Sequence, residues 1–225
     1  MKHSEKSAMT LTKDAKPRAA AAAQGISILL NLSVAVLSAV GTAISFGKHG
    51  CRMFQFYTVD SNIFAMLACA VYAVFLIRRL IAKAEIPAWA AMVKYAAVCC
   101  LAVTFLVVVA VLAPMNGAKG YQMMLLHDDM LYHHLLCPLL AALSFFLFDR
   151  VPVKAGKAAR FALLPTVVYA VVTVILNLVR VLVGPYPFLM VYRQSVCLSV
   201  LWVFLILGGA YAFAWLVARL RHKID

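Results

Sequence analysis

Charge is scarce in this chain of 225 residues: Asp, Glu, Lys and Arg make up 13%, against 65% hydrophobic residues. An ordinary soluble domain carries about 25% charged residues, so that class is excluded. Strict apolar–polar alternation is missing as well, and with it the signature of a membrane β-barrel. No glycine-rich phosphate loop, internal repeat or low-complexity tract occurs, which leaves nothing to argue a nucleotide site or a solenoid from. A disulfide framework is also absent. Cys69, Cys99, Cys100, Cys137 and Cys197 fall in apolar stretches and only Cys51 lies between them, so the five read as small core filler, with a metal or redox pair at Cys99 and Cys100 as the remote alternative.

What is present is six long apolar runs, at residues 24–46, 53–77, 92–113, 130–148, 161–183 and 195–218. Each is about 19–25 residues, enough to cross a hydrocarbon core of ~30 Å at 1.5 Å per residue. The expected fold is all-α: a polytopic membrane protein built as one bundle of six transmembrane helices. Residues 1–23 form a basic tail expected to be disordered, 24–218 the membrane domain and 219–225 a second basic tail. The first run is too long for a signal-peptide core and is expected to be retained.

The formal net charge of +13 is unevenly spread. Lys2, Lys6, Lys13, Lys16 and Arg18 precede the first span. Arg78, Arg79, Lys83 and Lys94 fall in the second connection, Arg150, Lys154, Lys157 and Arg160 in the fourth, and Arg219, Arg221 and Lys223 at the end. The opposite side holds Lys48, Arg52, Lys119 and Arg193, and Arg180 lies within a span. The asymmetry places both termini in the cytoplasm of a cell-membrane protein. It orients the chain and touches anionic headgroups; it does not point to nucleic acid.

Polar residues inside the spans carry the functional reading, because lipid excludes them unless they face protein. Thr58, Ser61, Asn62, Ala65 and Cys69 recur at helical spacing and share a face of the second span, which must point into the bundle. Asp60 points off that face, toward the interface or an arginine. In the fourth span Pro138 has no N–H, so the carbonyl of His134, four residues earlier, loses its helical partner and a kink is expected there. His134 can accept a proton; His133 points about a hundred degrees away and is the weaker candidate. Thr166, Tyr169, Thr173, Asn177 and Arg180 form a polar stripe on the fifth span. Arg180 is expected to be paired or to face substrate rather than to snorkel. Counted along the helices, Thr58, His134 and Arg180 lie at one depth, ~6–8 Å below the outer boundary.

A threonine hydroxyl needs a base to become a nucleophile, and His134 is the base at matching depth. Asn62 or Arg180 would serve a developing oxyanion, or Arg180 a substrate carboxylate; Asn177, Tyr169 or an acidic residue would orient the imidazole. Ser61 is the next candidate nucleophile.

The segments Tyr57-Thr-Val-Asp-Ser-Asn62, His134-Leu-Leu-Cys-Pro138 and Gly184-Pro-Tyr-Pro-Phe188 occur in this order on successive spans. From Gly25 to Ala218 the chain thereby resembles the androgen-induced-protein family, which includes the androgen-dependent regulator of tissue factor pathway inhibitor and a bacterial six-helix branch. Animal members are intramembrane threonine hydrolases of fatty-acid esters of hydroxy fatty acids. The resemblance implies a Thr58 nucleophile, a His134 base, a membrane lipid substrate and no cofactor. Asp60 departs from the family, which usually has an apolar residue there, and Pro-Tyr-Pro-Phe implies no more than a rigid turn at the outer face.

Two other readings compete. A metal-dependent membrane hydrolase would use His127, Asp128, Asp129, His133 and His134, of which Asp129 and His133 are an i,i+4 pair; yet no other span supplies a histidine, and the two aspartates equally suit a helix N-terminus. A non-enzymatic lipid-binding protein or small-solute transporter would use the polar stripes as a path or as helix glue, without the broken midplane helices of a transporter.

Overall fold

The computed structural model describes the backbone of residues 2–222 and the side chains of residues 19–222. Seven helices carry the fold: α1 (Lys2–His49), α2 (Tyr57–Ala82), α3 (Ala88–Met115), the short α4 (Gly120–Leu126), α5 (Asp128–Phe148), α6 (Ala155–Leu178) and α7 (Val196–His222). All but α4 are long and apolar enough to cross a membrane, and the described residues contain no strand. The N-terminal tail differs from expectation, since α1 is helical from Lys2. The Ala19–Ala23 run has the highest helix propensity available and carries the first span's helix outward. At the other end α7 takes in Arg219 and Arg221; residues 223–225 lie outside the described residues.

α3 is the centre of the bundle, with 56% of its most apolar window buried against 6% for α7. It packs on α2, α5 and α6, while α1 covers α2 and α5 and the α6–α7 pair closes the other side. Ala65, Cys69, Ala96, Ala97, Cys137, Ala141, Ala158 and Ala162 fill the core. Small side chains let backbones approach closely where lipid offers no hydrophobic drive for association. Large apolar side chains point outward instead, Phe204 at 72% and Leu29 at 65% exposure among them, which is stable only against acyl chains. Cys69, Cys99, Cys100 and Cys137 are buried as expected of filler, but Cys197 is exposed.

Lys94, counted in a loop from sequence, is fully buried in α3. Its ammonium bonds Asn31 Oδ1 and lies 3.4 Å from Cys69 Sγ. It also stands 5.9 Å from the Tyr72 ring centroid. Asn31 in turn donates to Ser144 Oγ at 3.0 Å, so α1, α2, α3 and α5 meet around one amine. A buried ammonium is tolerated only when oxygen, sulfur and π partners replace water in this way.

One backbone device recurs and shapes the site. Residues Val108–Leu112 of α3 and Leu131–Leu136 of α5 are π turns, and each precedes a proline. In this register the N–H of residue i+5 bonds the carbonyl of i, as Ala113 does to Val108 and Cys137 to Tyr132. The next donors in line are Pro114 and Pro138, which have none. The orphaned carbonyls are therefore those of Val109 and His133. A side chain from elsewhere satisfies each: Tyr121 Oη donates to Val109 O at 3.1 Å and Asn62 Nδ2 to His133 O at 3.2 Å. The extra residue moves the unpaired carbonyl from His134, expected from i−4 counting, to His133.

Candidate functional site

α1 ends at His49, and a 3-10 turn over Gly50–Gln55 reverses the chain, with Gly50 in the left-handed region at φ +53. α2 then starts at Tyr57 behind an extended Phe56 whose carbonyl accepts from Val59 N at 3.0 Å and Asp60 N at 3.2 Å. Thr58 is the second residue of this helix, so its own N–H has no partner within the helix. Tyr186 Oη accepts it at 3.3 Å and lies 3.4 Å from Thr58 Oγ1.

On the opposite side of the hydroxyl, His134 Nε2 is 3.1 Å from Thr58 Oγ1. The other ring nitrogen, Nδ1, is 2.7 Å from Met124 O. That carbonyl belongs to the last turn of α4, where helix carbonyls lack helical donors. A carbonyl only accepts, so Nδ1 carries the proton and Nε2 presents a lone pair to the Thr58 O–H. The hydrogen bonds therefore run in one direction, from the Tyr186 phenol through the Thr58 hydroxyl to the imidazole. Thr58 and His134 are 8% and 3% exposed.

The other sequence candidates surround this pair without joining it. Asn62 spends its amide donors on Thr58 O at 2.8 Å and on His133 O, and does not aim at a carbonyl approaching Thr58. Ser61 bonds Thr58 O at 3.1 Å and Thr104 Oγ1 at 2.9 Å. Tyr169 donates to Gln55 O at 2.6 Å and meets the Tyr57 ring edge-on at 5.1 Å. Asn177 lies beyond reach of the imidazole: it donates to Leu182 O at 2.8 Å and accepts from Val191 N at 3.1 Å. Its work is to organise the loop that follows α6.

Arg180 is the clear correction. α6 stops at Leu178, five residues short of the expected run, and Arg180 sits in the turn beyond it at φ +62. Its guanidinium lies 4.8 Å from the Tyr192 ring centroid, exposed, and away from Thr58. Asp60 is half-buried and faces a separate groove between α2 and α6. His133 is fully buried, with its ring turned toward α1. Its Nε2 sits against α1 at Gly41, where a Cβ would come within 2.7 Å. His127 and Lys48 occupy the aspartates proposed as metal ligands: Lys48 Nζ is 2.8 Å from Asp128 and 2.6 Å from Asp129, and His127 Nδ1 is 3.0 Å from Asp128. Among the described residues no three His, Cys, Asp or Glu side chains converge on a point where a metal would bind.

Tyr186 is the residue that sequence reasoning missed. Its signal was a tyrosine held between Pro185 and Pro187, which restricts the backbone enough to aim one side chain. The ring stacks on Phe188 at 5.2 Å, and Phe188 rests on Trp202 at 5.7 Å, anchoring the loop to α7. Burial pushes the Tyr186 phenol above its ordinary value, against the opposing pull of its Thr58 hydrogen bonds. It is a neutral donor at pH 7.

Two cavities meet at Thr58, and Tyr186 and Leu112 also line both. The inner one lies among α2, α3, α6 and α7. Its polar groups are spent on each other or on backbone, as with Tyr57 Oη on Thr166 Oγ1 at 2.7 Å, so it presents an apolar surface. The outer one is lined by His49, Met115, Asn116, Asp129, His133 and His134 among others. Chemically the arrangement offers an activated hydroxyl at a helix N-terminus, an opposed phenol donor, an apolar chamber and a polar one.

No family model, curated protein or solved structure matches this chain.

Proposed function

We propose that this protein is an intramembrane hydrolase of fatty-acid esters, with Thr58 as nucleophile and His134 as base. The observation that carries the reading is the Thr58 Oγ1–His134 Nε2 contact of 3.1 Å with Nδ1 anchored on Met124 O. An ester placed across the two cavities presents its carbonyl to Thr58. His134 Nε2 takes the hydroxyl proton as Oγ1 attacks, then returns it to the departing alkoxide, leaving an acyl-threonine. Water admitted through the outer cavity cleaves that ester with His134 again as base. The Tyr186 phenol and the N-terminal end of α2 stabilise the oxyanion in both steps. Met124 O takes the place that a carboxylate holds in a serine triad, fixing the tautomer without a buried charge.

The resemblance to the androgen-induced-protein family supports the same pair in the same roles. The charge asymmetry, with Lys94 moved into the core and Arg180 to the outer connections, supports cytoplasmic termini in a cell membrane and a site in the outer half of the bilayer. Purified protein in detergent is expected to hydrolyse long-chain acyl esters. Thr58→Ala and His134→Ala should each lower kcat by ~10³-fold or more while the helical signal and melting temperature persist. Unchanged hydrolysis in Thr58→Ala would overturn the reading; tight lipid binding with no turnover in the parent protein would favour a non-enzymatic lipid carrier.

A further inference from the structure

α7 is secured at one end. Its buried residues are Ala210, Ala214, Val217 and Ala218, all toward its C-terminus. Val203, Leu207, Ala210, Ala214 and Ala218 recur at spacings of three and four, so they share one face of the helix. At its C-terminal end that face is closed on α3: Tyr95 Oη donates to Ala214 O at 2.6 Å, and Ala210 packs with Cys100 and Val103. Toward the level of Thr58, exposure along it rises from 1% at Ala214 and 8% at Ala210 to 44% at Val203. α3 changes in the same sense, from 7% at Val103 to 43% at Leu106. The two helices therefore part toward the end that holds Thr58. Val203 also lines the inner cavity, which reaches the bilayer through this seam. The wall toward the α2–α6 groove is shut. Tyr169 lines both spaces, and its bond to Gln55 O and its edge contact with Tyr57 hold the ring in place.

We infer that the acyl chain of the substrate enters sideways from the bilayer, through the seam between α3 and α7, and lies along Val203 and Leu207 with its ester at Thr58. This rests on the hydrolase reading and adds the substrate's route to it. Val103, Val107, Val203 and Leu207 line the way in, so a chain leaving lipid stays among apolar groups throughout. The outer cavity would instead carry it past Asn116, Asp129 and His134, exposing its methylenes to water. α7 also carries Gly208 and Gly209 where its buried stretch begins. A Cβ at either would meet nothing within 4 Å, so packing does not require them to be small. A glycine pair bends a helix readily, letting the turns before it tilt to admit a chain while residues 210–218 stay packed on α3.

The test uses the full chain in lipid nanodiscs and two nitrophenyl esters, a bilayer-held oleoyl ester and a water-soluble acetyl ester. Val203→Trp fills the seam at an exposed position, and Val172→Trp, in the α2–α6 groove, is the control. Val203→Trp is expected to lower kcat/KM for the oleoyl ester ~10-fold more than for the acetyl ester, and Val172→Trp to leave that ratio as it was. Alongside, an oleoyl ester with a mid-chain diazirine is photolysed on Thr58→Ala protein. It should label Val103, which is shielded from the surrounding lipid, and Val203→Trp should abolish that adduct. Equal loss of both esters in Val203→Trp, no loss of either, or no adduct on Val103 overturns the inference. So does a Val103 adduct that survives Val203→Trp, and one removed by Val172→Trp places the entrance at the α2–α6 groove. A parent protein that cleaves neither ester, with a Val103 adduct removed by Val203→Trp, would sustain the portal and defeat the hydrolase reading alone.

Discussion

The Thr58 hydroxyl lies between a ring nitrogen at 3.1 Å and a phenol at 3.4 Å, and the proposed chemistry depends on which of the two gives and which takes. Tyr186 stays protonated because burial raises its pKa. It therefore keeps donating as pH rises to about 10, where an unperturbed tyrosine would begin to ionise. Tyr186→Phe removes this donor but keeps the ring stack on Phe188. The expected result is a fall in kcat of ~10²-fold with KM nearly unchanged, since the phenol bears charge mainly in the transition state. A rise in KM alone would make Tyr186 a substrate-positioning residue only. Thr58 and His134 were legible in the sequence from helical spacing and from the proline after the histidine. Met124 was not, because a backbone carbonyl leaves no mark in the residue alphabet.

At the scale of elements, the two π turns explain what spacing arguments misplace. Counting i−4 from Pro138 puts the free carbonyl on His134, and the inserted residue puts it on His133. Asn62 could be read as a polar residue on the inward face, but not as the donor that closes this gap. Asn62→Leu should cost about 1–3 kcal/mol, the price of a buried carbonyl left without a partner. Thermal unfolding in detergent would check this, and a melting temperature equal to the parent's would refute it. Arg180 shows the reverse failure. It continues the Thr173–Asn177 stripe in sequence, but Asn177 folds its side chain onto Leu182 O and Val191 N and the helix ends. A polar residue that caps a loop and one that lines a bundle have the same spacing until the helix end is known.

For the whole molecule, six apolar spans and their all-helical character were plain from run length and composition, since lipid admits only helices or closed barrels and the alternation of barrel strands is missing. The polar cluster around Lys94 was not, because that residue reads as one more loop cation. Close to that amine, the Asp149 carboxyl is pushed up to about 6 by burial, with Lys94, Tyr72 and Arg221 pulling the other way. A carboxyl raised in the folded state contributes stability below its unfolded value of 3.8 and loses it as pH climbs through 6. The protein should therefore be destabilised by about 2–3 kcal/mol between pH 4 and pH 7 through this group. Asp149→Asn should melt higher than the parent at pH 8 and converge with it near pH 4, and a gap that does not depend on pH would reject the assignment. The proposed topology places the exposed Cys51 outside. A membrane-impermeant maleimide added to intact cells should modify it, and protection until the cells are opened would invert the orientation.

The most direct measurement is to locate, by mass spectrometry, the adduct of an alkyl fluorophosphonate on the detergent-purified protein. A Thr58 nucleophile activated by His134 predicts one adduct, on Thr58, lost in His134→Ala and slowed in Tyr186→Phe. An adduct on Ser61 or any other residue, or one on Thr58 that forms as fast without His134, would contradict it.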